Sequence, residues 1–311
     1  MTELNRFLRA FDLPLEYSYQ IVGPNTKTIY LKKTNYFKMS RFTSLTRELE
    51  EFFGTNVIIN TRELAITINL ADGERTYVTK PDTSAANLDI NLGIDKDYNN
   101  IKLDIAKAPH ILIAGTTGSG KSVVLRNIMS QLDTYEFLDG KTNTLEEVNV
   151  VLDRYVDLME RRYKLFTEFD TRHNLMRGTC DIDRFNEYAE KNKINKLNKI
   201  VIIIDEYADV AMQDIARKKD KYGIENKIIR LCQKARAAGI HIILATQRPD
   251  AKTISGLIRA NCPARIALKT GTSIESRIIL DVPGAEKLNP RGDMLVKYPG
   301  KELVRCQGYS I

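Results

Sequence analysis

A glycine-rich run that ends in lysine and serine stands in the first half of the chain and matches the pattern G-x-x-x-x-G-K-[ST]. Glycines let the backbone curl so that its N–H groups point at a bound phosphate, and a following helix presents its positive N-terminal end. In this pattern Lys121 contacts the β- and γ-phosphates of ATP, and the Ser122 hydroxyl binds Mg²⁺. The predicted nucleotide-binding residues are Gly115, Thr116, Thr117, Gly118, Ser119, Gly120, Lys121, Ser122 and Val123.

The segments on either side of this loop are those that the motif requires. Residues 110–114 form a short apolar run typical of a buried strand, and residues 121–132 have helical periodicity. A phosphate loop connects a strand to a helix, so this context favours a true nucleotide site over an accidental turn of small residues.

Two carboxylates follow a second buried strand. Residues 201–204 are Val-Ile-Ile-Ile, and Asp205 and Glu206 come directly after them. In P-loop enzymes an aspartate at the end of such a strand holds magnesium, so we expect Asp205 to bind Mg²⁺ together with Ser122. Glu206 is then the residue expected to orient and deprotonate the attacking water.

The order of the remaining segments predicts the architecture. A third apolar strand covers residues 240–245, and we expect Gln247, just after its end, to sense the γ-phosphate. From about residue 88 strands alternate with helices, for example at 152–169 and 228–238, which indicates an α/β domain. Earlier residues predict a small α+β unit. The predicted domains are an N-terminal helical extension at 1–13, the α+β domain at 14–86 and the ATPase domain at 87–311, with a polar boundary at 81–87.

Composition argues against several classes of protein. No apolar run approaches the roughly 18 residues that span a bilayer, and the first residues mix charges with apolar side chains instead of forming a signal peptide. We therefore expect a cytoplasmic protein. The four cysteines are far apart with no C-x-x-C pair, which argues against a zinc site or a disulfide framework and favours buried thiols.

Positive charge is concentrated in the last quarter of the chain. Residues 230–311 contain 14 Lys and Arg against 6 Asp and Glu, a net charge of +8, whereas the whole chain carries +7. A basic excess confined to one segment suggests a surface for a polyanion. The charge alone is equally consistent with a solvated basic surface.

With these strands in place, the chain resembles the FtsK/SpoIIIE family of DNA translocases, in the FtsK–HerA branch of P-loop ATPases. The resemblance covers nearly the whole chain after about residue 14. The stretch QKARAAGIHIILATQRP (233–249) is far more specific than a phosphate loop alone. The other matching stretches include HILIAGTTGSGKS (110–122), MERRYKLF (159–166), IIIDEYADV (202–210), SGLIRANCPARIAL (255–268), IESRIILD (274–281), GAEKLNPRGDML (284–295) and VRCQGYSI (304–311).

The resemblance implies a RecA-like ATPase domain with a central, mostly parallel sheet. It also implies a homo-oligomeric ring, a hexamer, that threads double-stranded DNA through its centre and binds ATP between subunits. Arg236 matches the basic finger that completes the neighbouring site, although from composition alone it could equally be a helix-surface arginine. DNA contacts fall on Arg248 and Arg259 in one loop and on Arg277 near a second, with Lys269 nearby. Such contacts to phosphates are largely sequence-independent and salt-sensitive.

This chain departs from the family pattern at several points. Ser273 stands where the family often has lysine, which predicts a weaker or displaced pore contact. The stretch at 133–151 is shorter than usual, which predicts a reduced peripheral strand. No membrane domain precedes the motor and no winged-helix domain follows it, so we expect a bare motor that suits a phage or another mobile element.

Three functions are compatible with these residues, and an ATP-driven DNA translocase is favoured. A coupling ATPase that feeds DNA to a conjugation channel or a capsid shares the motor chemistry and differs in its partner. A nucleotide-switched DNA-binding protein with little turnover fits less well, because a switch does not need the activated water that Asp205 and Glu206 imply. Whether residues 1–13 dock on the motor or recruit an unknown partner stays open.

Overall fold

The computed structural model of the chain describes residues 2–80, 88–216 and 223–310. The boundary predicted at residues 81–87 lies outside them. The strands are β1 (Leu15–Val22), β2 (Thr26–Lys33), β3 (Val57–Asn60), β4 (Ala65–Asn69), β5 (Asp89–Ile94), β6 (Asn100–Asp104), β7 (His110–Ala114), β8 (Tyr135–Asp139), β9 (Ile200–Asp205), β10 (Ile240–Thr246), β11 (Ala264–Leu268), β12 (Asp293–Lys297) and β13 (Val304–Gly308). The helices are α1 (Thr2–Ala10), α2 (Met39–Ser44), α3 (Thr46–Phe53), α4 (Lys121–Met129), α5 (Leu145–Arg172), α6 (Ile182–Lys191), α7 (Tyr207–Ala216), α8 (Ile224–Lys234), α9 (Gly256–Asn261) and α10 (Ser273–Leu280).

The N-terminal part is a four-stranded antiparallel sheet in the order β1-β2-β4-β3, packed against α1 and α3. Leu4 and Leu8, on one face of α1, are buried in the same apolar cluster as Leu15 and Phe42. Burial of one leucine contributes about 2 kcal/mol, so this helix adds to the stability of the small sheet. The helix predicted as an extension therefore shares its core with the α+β unit.

A second sheet carries the phosphate loop, and within the described residues it has nine strands in the order β6-β5-β13-β12-β11-β7-β10-β9-β8. The five strands from β11 to β8 are parallel, whereas β12, β13, β5 and β6 are antiparallel. The α/β class is confirmed, with the parallel part confined to those five strands. In β7, Leu112 and Ala114 face one apolar cluster while Ile111 and Ile113 face the other. Burial on both faces explains why this strand is apolar after its first residue, His110.

The segment expected to hold a reduced peripheral strand contains β8, a five-residue strand paired in parallel with β9. It lies at the edge of the sheet with two of its five residues exposed and only one fully buried, so its sequence lacks the apolar run of a central strand. The helix predicted at 152–169 begins earlier, at Leu145, where Thr144 and Glu147 form a capping box. No helix within the described ranges combines the length and apolar character that a bilayer span requires.

Two histidines lie buried at the start of neighbouring strands, His110 on β7 and His241 on β10. Their ring centroids are 6.4 Å apart, and His110 Nδ1 accepts a hydrogen bond from the Ile242 amide at 3.1 Å. Burial lowers the pKa of His110 to about 3 and the pKa of His241 to about 4. Both rings are therefore neutral in the folded chain at neutral pH.

Mild acid is expected to destabilise the fold through this pair. The unfolded chain takes up protons on both histidines as the pH falls below about 6.5, and the folded chain does not. The contribution of the two histidines to the free energy of unfolding is fully present above pH ~7. By pH ~5 the free energy of unfolding should have fallen by about 2 kcal/mol per histidine. Thermal unfolding between these pH values measures the loss. His241→Phe should flatten the pH dependence, and an unchanged slope in that variant would contradict the assignment.

Candidate nucleotide site

The phosphate loop connects β7 to α4, and glycines fix its shape. Gly118 and Gly120 have φ angles of +79° and +101°, in the region that favours glycine. A Cβ atom on Gly120 would lie 2.5 Å from the Gly292 amide nitrogen, so a side chain cannot fit there. The amide and hydroxyl of Thr116 both donate to the Lys269 carbonyl, at 2.9 and 3.0 Å. These contacts hold the loop against the neighbouring chain segments.

A cavity of about 550 Å³ opens over this loop, a volume that suits a nucleotide. Seven of the nine predicted nucleotide-binding residues line it. The other two, Gly115 and Ser119, do not face the cavity. The Gly115 amide donates to the Thr246 carbonyl at 3.2 Å, and Ser119 is buried. The other lining residues are Tyr77, Val124, Gln247, Arg291, Gly292, Gln307, Gly308, Tyr309 and Ser310.

Lys121 and Asp205, predicted from separate motifs, are in direct contact. The buried Lys121 ammonium forms an ion pair with Asp205 Oδ1, which also accepts a hydrogen bond from the Glu206 amide at 2.8 Å. Ser122, next to Lys121, lines the cavity. Its hydroxyl and the Asp205 carboxylate are the hard oxygen donors that Mg²⁺ prefers.

The protein ligands alone make an incomplete metal site. In the described part of the chain, no three or more His, Cys, Asp or Glu side chains are grouped to hold a metal ion. Mg²⁺ commonly binds one or two protein ligands together with substrate phosphates and water, so Ser122 and Asp205 fit a cation that arrives with the nucleotide.

Glu206 is buried, and its backbone has a φ angle of +50°. Its Oε1 atom accepts hydrogen bonds from Thr246 Oγ1 and from the Gln247 amide, both at 3.0 Å. Its Oε2 atom lies 3.5 Å from Lys141 Nζ. The Gln247 side chain in turn accepts a hydrogen bond from Thr117 Oγ1 at 2.8 Å. The structure thus links Glu206 to the phosphate loop through Gln247, and it adds Thr246 and Lys141, which were not predicted.

Sequence reasoning also missed the residues on the side of the cavity away from the phosphate loop, because they come from distant segments of the chain. Tyr77 precedes the large sheet, Arg291 precedes β12 and Tyr309 follows β13. The Arg291 amide donates to the Gly118 carbonyl at 3.3 Å, and its guanidinium pairs with Asp72 at 2.5 Å. The Tyr77 hydroxyl donates to Asp72 at 2.8 Å and lowers the pKa of that carboxyl. The matching stretches at 284–295 and 304–311 were the available signal for Arg291 and Tyr309.

Arg236 lies at the end of the large sheet where β7 begins, opposite the end that carries the phosphate loop. Its Nε atom donates to the Ala106 carbonyl at 3.2 Å, and Ala106 comes shortly before β7 begins. The phosphate loop follows the other end of β7, and a five-residue strand spans about 15 Å. The side chain is exposed and lies far from the phosphate loop of its own chain.

The four candidate DNA-binding residues differ in accessibility. Arg248 and Arg277 are exposed, and Arg277 donates to the Ser273 hydroxyl at 3.3 Å. Arg259 is partly buried in α9. Lys269 is also partly buried, and its ammonium donates to a backbone carbonyl at 2.8 Å. Lys269 therefore supports the packing behind the phosphate loop and, unlike the exposed arginines, is not free on the surface.

Sequence comparison relates the chain to DNA translocases. The model of the FtsK/SpoIIIE family matches residues 74–136 and 142–251. The DNA translocase FtsK of Streptococcus agalactiae serotype V is 36% identical over an alignment of 345 positions, which covers 99% of this chain and 41% of that protein. FtsK of Streptococcus pyogenes serotype M6 is 42% identical over 250 residues, covering 72% of this chain and 30% of that protein. The chain spans less than half the length of these relatives.

Structural comparison gives the same fold. The pCW3 conjugation coupling protein TcpA, in a monomer form with ATPγS, superposes with a TM-score of 0.69 at 26% identity, covering 99% of this chain and 92% of that chain. The cytoplasmic domain of the type VII secretion ATPase EccC of Thermomonospora curvata has a TM-score of 0.60 at 22% identity, covering 75% and 30%. The P-loop ATPase fold is therefore confirmed. From the family match and the identity to FtsK along the whole chain, this protein belongs to the FtsK/SpoIIIE family.

Proposed function

We propose that this chain hydrolyses ATP to move along double-stranded DNA as a subunit of a homo-oligomeric ring, a hexamer. The observation that carries the proposal is the meeting of four groups at the carboxyl ends of the central parallel strands. Lys121 pairs with Asp205, and Glu206 is linked through Gln247 to the phosphate loop. A phosphate-binding loop, a magnesium ligand, a general base and a γ-phosphate sensor are the parts that ATP hydrolysis requires.

Each residue has a separate role in the proposed hydrolysis. The Lys121 ammonium and the amides of the phosphate loop bind and orient the β- and γ-phosphates. Ser122 and Asp205 would hold Mg²⁺, which when bound neutralises charge on the phosphate oxygens. Glu206 accepts the proton of the attacking water, and the Gln247 amide orients the γ-phosphate against that water.

Support for DNA as the substrate comes from charge and from the relatives. The net charge of +8 lies in residues 230–311, and Arg248 and Arg277 in that segment are exposed. The relatives from both streptococci are DNA translocases. Contacts by arginine to phosphates imply binding that weakens steeply with salt and depends little on base sequence.

The rate of ATP hydrolysis with and without linear duplex DNA tests this proposal. We expect duplex to stimulate hydrolysis, and the stimulation to fall as the salt concentration rises. If duplex leaves the rate unchanged while ATP still controls DNA binding, the chain is a nucleotide-switched binding protein.

Arg236→Ala tests the ring. Arg236 is too far from its own phosphate loop, so it should complete the site of a neighbouring subunit. Loss of such a finger lowers hydrolysis by about a thousandfold. Mixed with wild-type subunits, the variant should lower the rate per wild-type subunit. A rate that falls only in proportion to the fraction of variant subunits would contradict action between subunits.

A second candidate, a coupling ATPase for conjugation, is favoured by the similarity to TcpA along 92% of that chain. Its motor chemistry is identical, so the partner decides between the two functions. Co-purification with a relaxase would support conjugative coupling, and co-purification with a portal protein would support feeding of a capsid. A motor that moves on duplex DNA and retains neither partner fits the first proposal.

A further inference from the structure

The general base of the proposed reaction is closed off from water. Glu206 Oε1 is occupied by two hydrogen bonds, from Thr246 Oγ1 and the Gln247 amide, and Oε2 is buried facing Lys141. Glu206 does not line the nucleotide cavity. A base must lie within hydrogen-bond reach of the water that it deprotonates. The Glu206 side chain must therefore leave this position before hydrolysis.

The hydroxyl that holds Glu206 is joined to a candidate DNA contact. Thr246 Oγ1 accepts a hydrogen bond from the Arg248 amide at 3.0 Å and donates to Glu206 Oε1 at 3.0 Å. Thr246 is fully buried at the end of β10, whereas Arg248 is exposed two residues later. Two consecutive hydrogen bonds thus connect the backbone of the loop that bears Arg248 to the carboxylate of the base.

We propose that Thr246 is a positioning residue through which DNA controls hydrolysis. DNA that pulls on the Arg248 side chain shifts its backbone, reorients the Thr246 hydroxyl and releases Glu206 toward the nucleotide. This inference rests on the proposed DNA-stimulated hydrolysis, and it names the contact through which the stimulation passes. Without DNA the carboxylate stays bound to Thr246, so ATP is bound and turned over slowly.

Thr246→Val and Thr246→Ser test the proposal by hydrolysis rates measured with and without linear duplex. Valine keeps the shape of threonine and removes the hydroxyl, whereas serine keeps it. One hydrogen bond to a charged group corresponds to about tenfold in an equilibrium. We expect the valine variant to hydrolyse ATP about tenfold faster without DNA and to gain little from duplex, and the serine variant to behave like the wild type.

The outcomes separate this inference from the proposed function. If duplex fails to stimulate the wild-type chain, the proposed function fails. If duplex stimulates the wild type and Thr246→Val keeps the same stimulation, or loses rate equally with and without DNA, only the role of Thr246 is overturned.

A second variant guards against a packing defect, because Thr246 is buried. Thr246→Ala also lacks the hydroxyl, and ATPγS binding and the thermal midpoint report whether each variant is folded. A folded alanine variant should again hydrolyse ATP faster without DNA. A slower DNA-free rate in that variant would overturn the proposal.

Discussion

Glu206→Gln is expected to lower the rate of ATP hydrolysis at least about a hundredfold while ATP binding is retained. Glutamine keeps an oxygen that can accept the hydrogen bonds from Thr246 and the Gln247 amide, so the surrounding structure is preserved. An amide cannot take the proton of the attacking water. Hydrolysis rates and nucleotide affinities measured on the same preparation separate the two effects, and the variant should stay bound to DNA with ATP.

Glu302→Gln is the matched control for this change. The Glu302 side chain is 93% exposed. It lies neither in the cavity nor near the end of β9 that carries Glu206. The control should hydrolyse ATP at the wild-type rate. Near-normal hydrolysis by Glu206→Gln would remove Glu206 from the mechanism and leave the strand end with a structural role only.

Lys121→Ala should abolish both tight ATP binding and hydrolysis, with a loss of at least about a hundredfold in rate. The ammonium is buried and paired with Asp205, so its removal leaves a carboxylate beside the phosphate-binding loop without its cation. The triphosphate would then meet an uncompensated negative charge where it needs a positive one. Titration with a fluorescent ATP analogue measures the loss of affinity directly.

Lys196→Ala provides the comparison for Lys121→Ala, because its ammonium pairs with Glu190 at an exposed site away from the loop. It should bind ATP like the wild-type chain. Undiminished ATP affinity in Lys121→Ala, together with a wild-type thermal midpoint, would show that the nucleotide binds elsewhere.

The central strands and the phosphate loop could be predicted because each has a local signal. Strands β7, β9 and β10 are buried on both faces and therefore read as short apolar runs. The phosphate loop favours glycine at Gly118 and Gly120 because both have positive φ angles, and Gly120 also has no room for a Cβ beside Gly292. Residues whose identity follows from local backbone geometry or burial can thus be predicted from sequence patterns.

The remaining features depend on contacts between distant segments. Strand β8 sits at a sheet edge and lacks an apolar run, and β5 and β6 form a hairpin whose place beside β13 is set by tertiary pairing. Thr246 lies within the matching stretch 233–249, but that stretch does not indicate a contact with Glu206, and only the folded strands bring its hydroxyl there. Tyr77 and Arg291 meet through Asp72 although about 200 residues separate them. Sequence patterns describe single elements, so such partnerships had to come from the structure.

Displacement of a triplex-forming strand from linear duplex DNA tests most directly whether this chain is a motor. A protein that moves along the duplex strips the third strand, whereas one that only binds does not. We predict displacement with ATP and Mg²⁺, none with a non-hydrolysable analogue and none for Glu206→Gln with ATP. Displacement that proceeds equally with the analogue, or its absence while duplex-stimulated hydrolysis continues, would contradict ATP-driven movement on DNA.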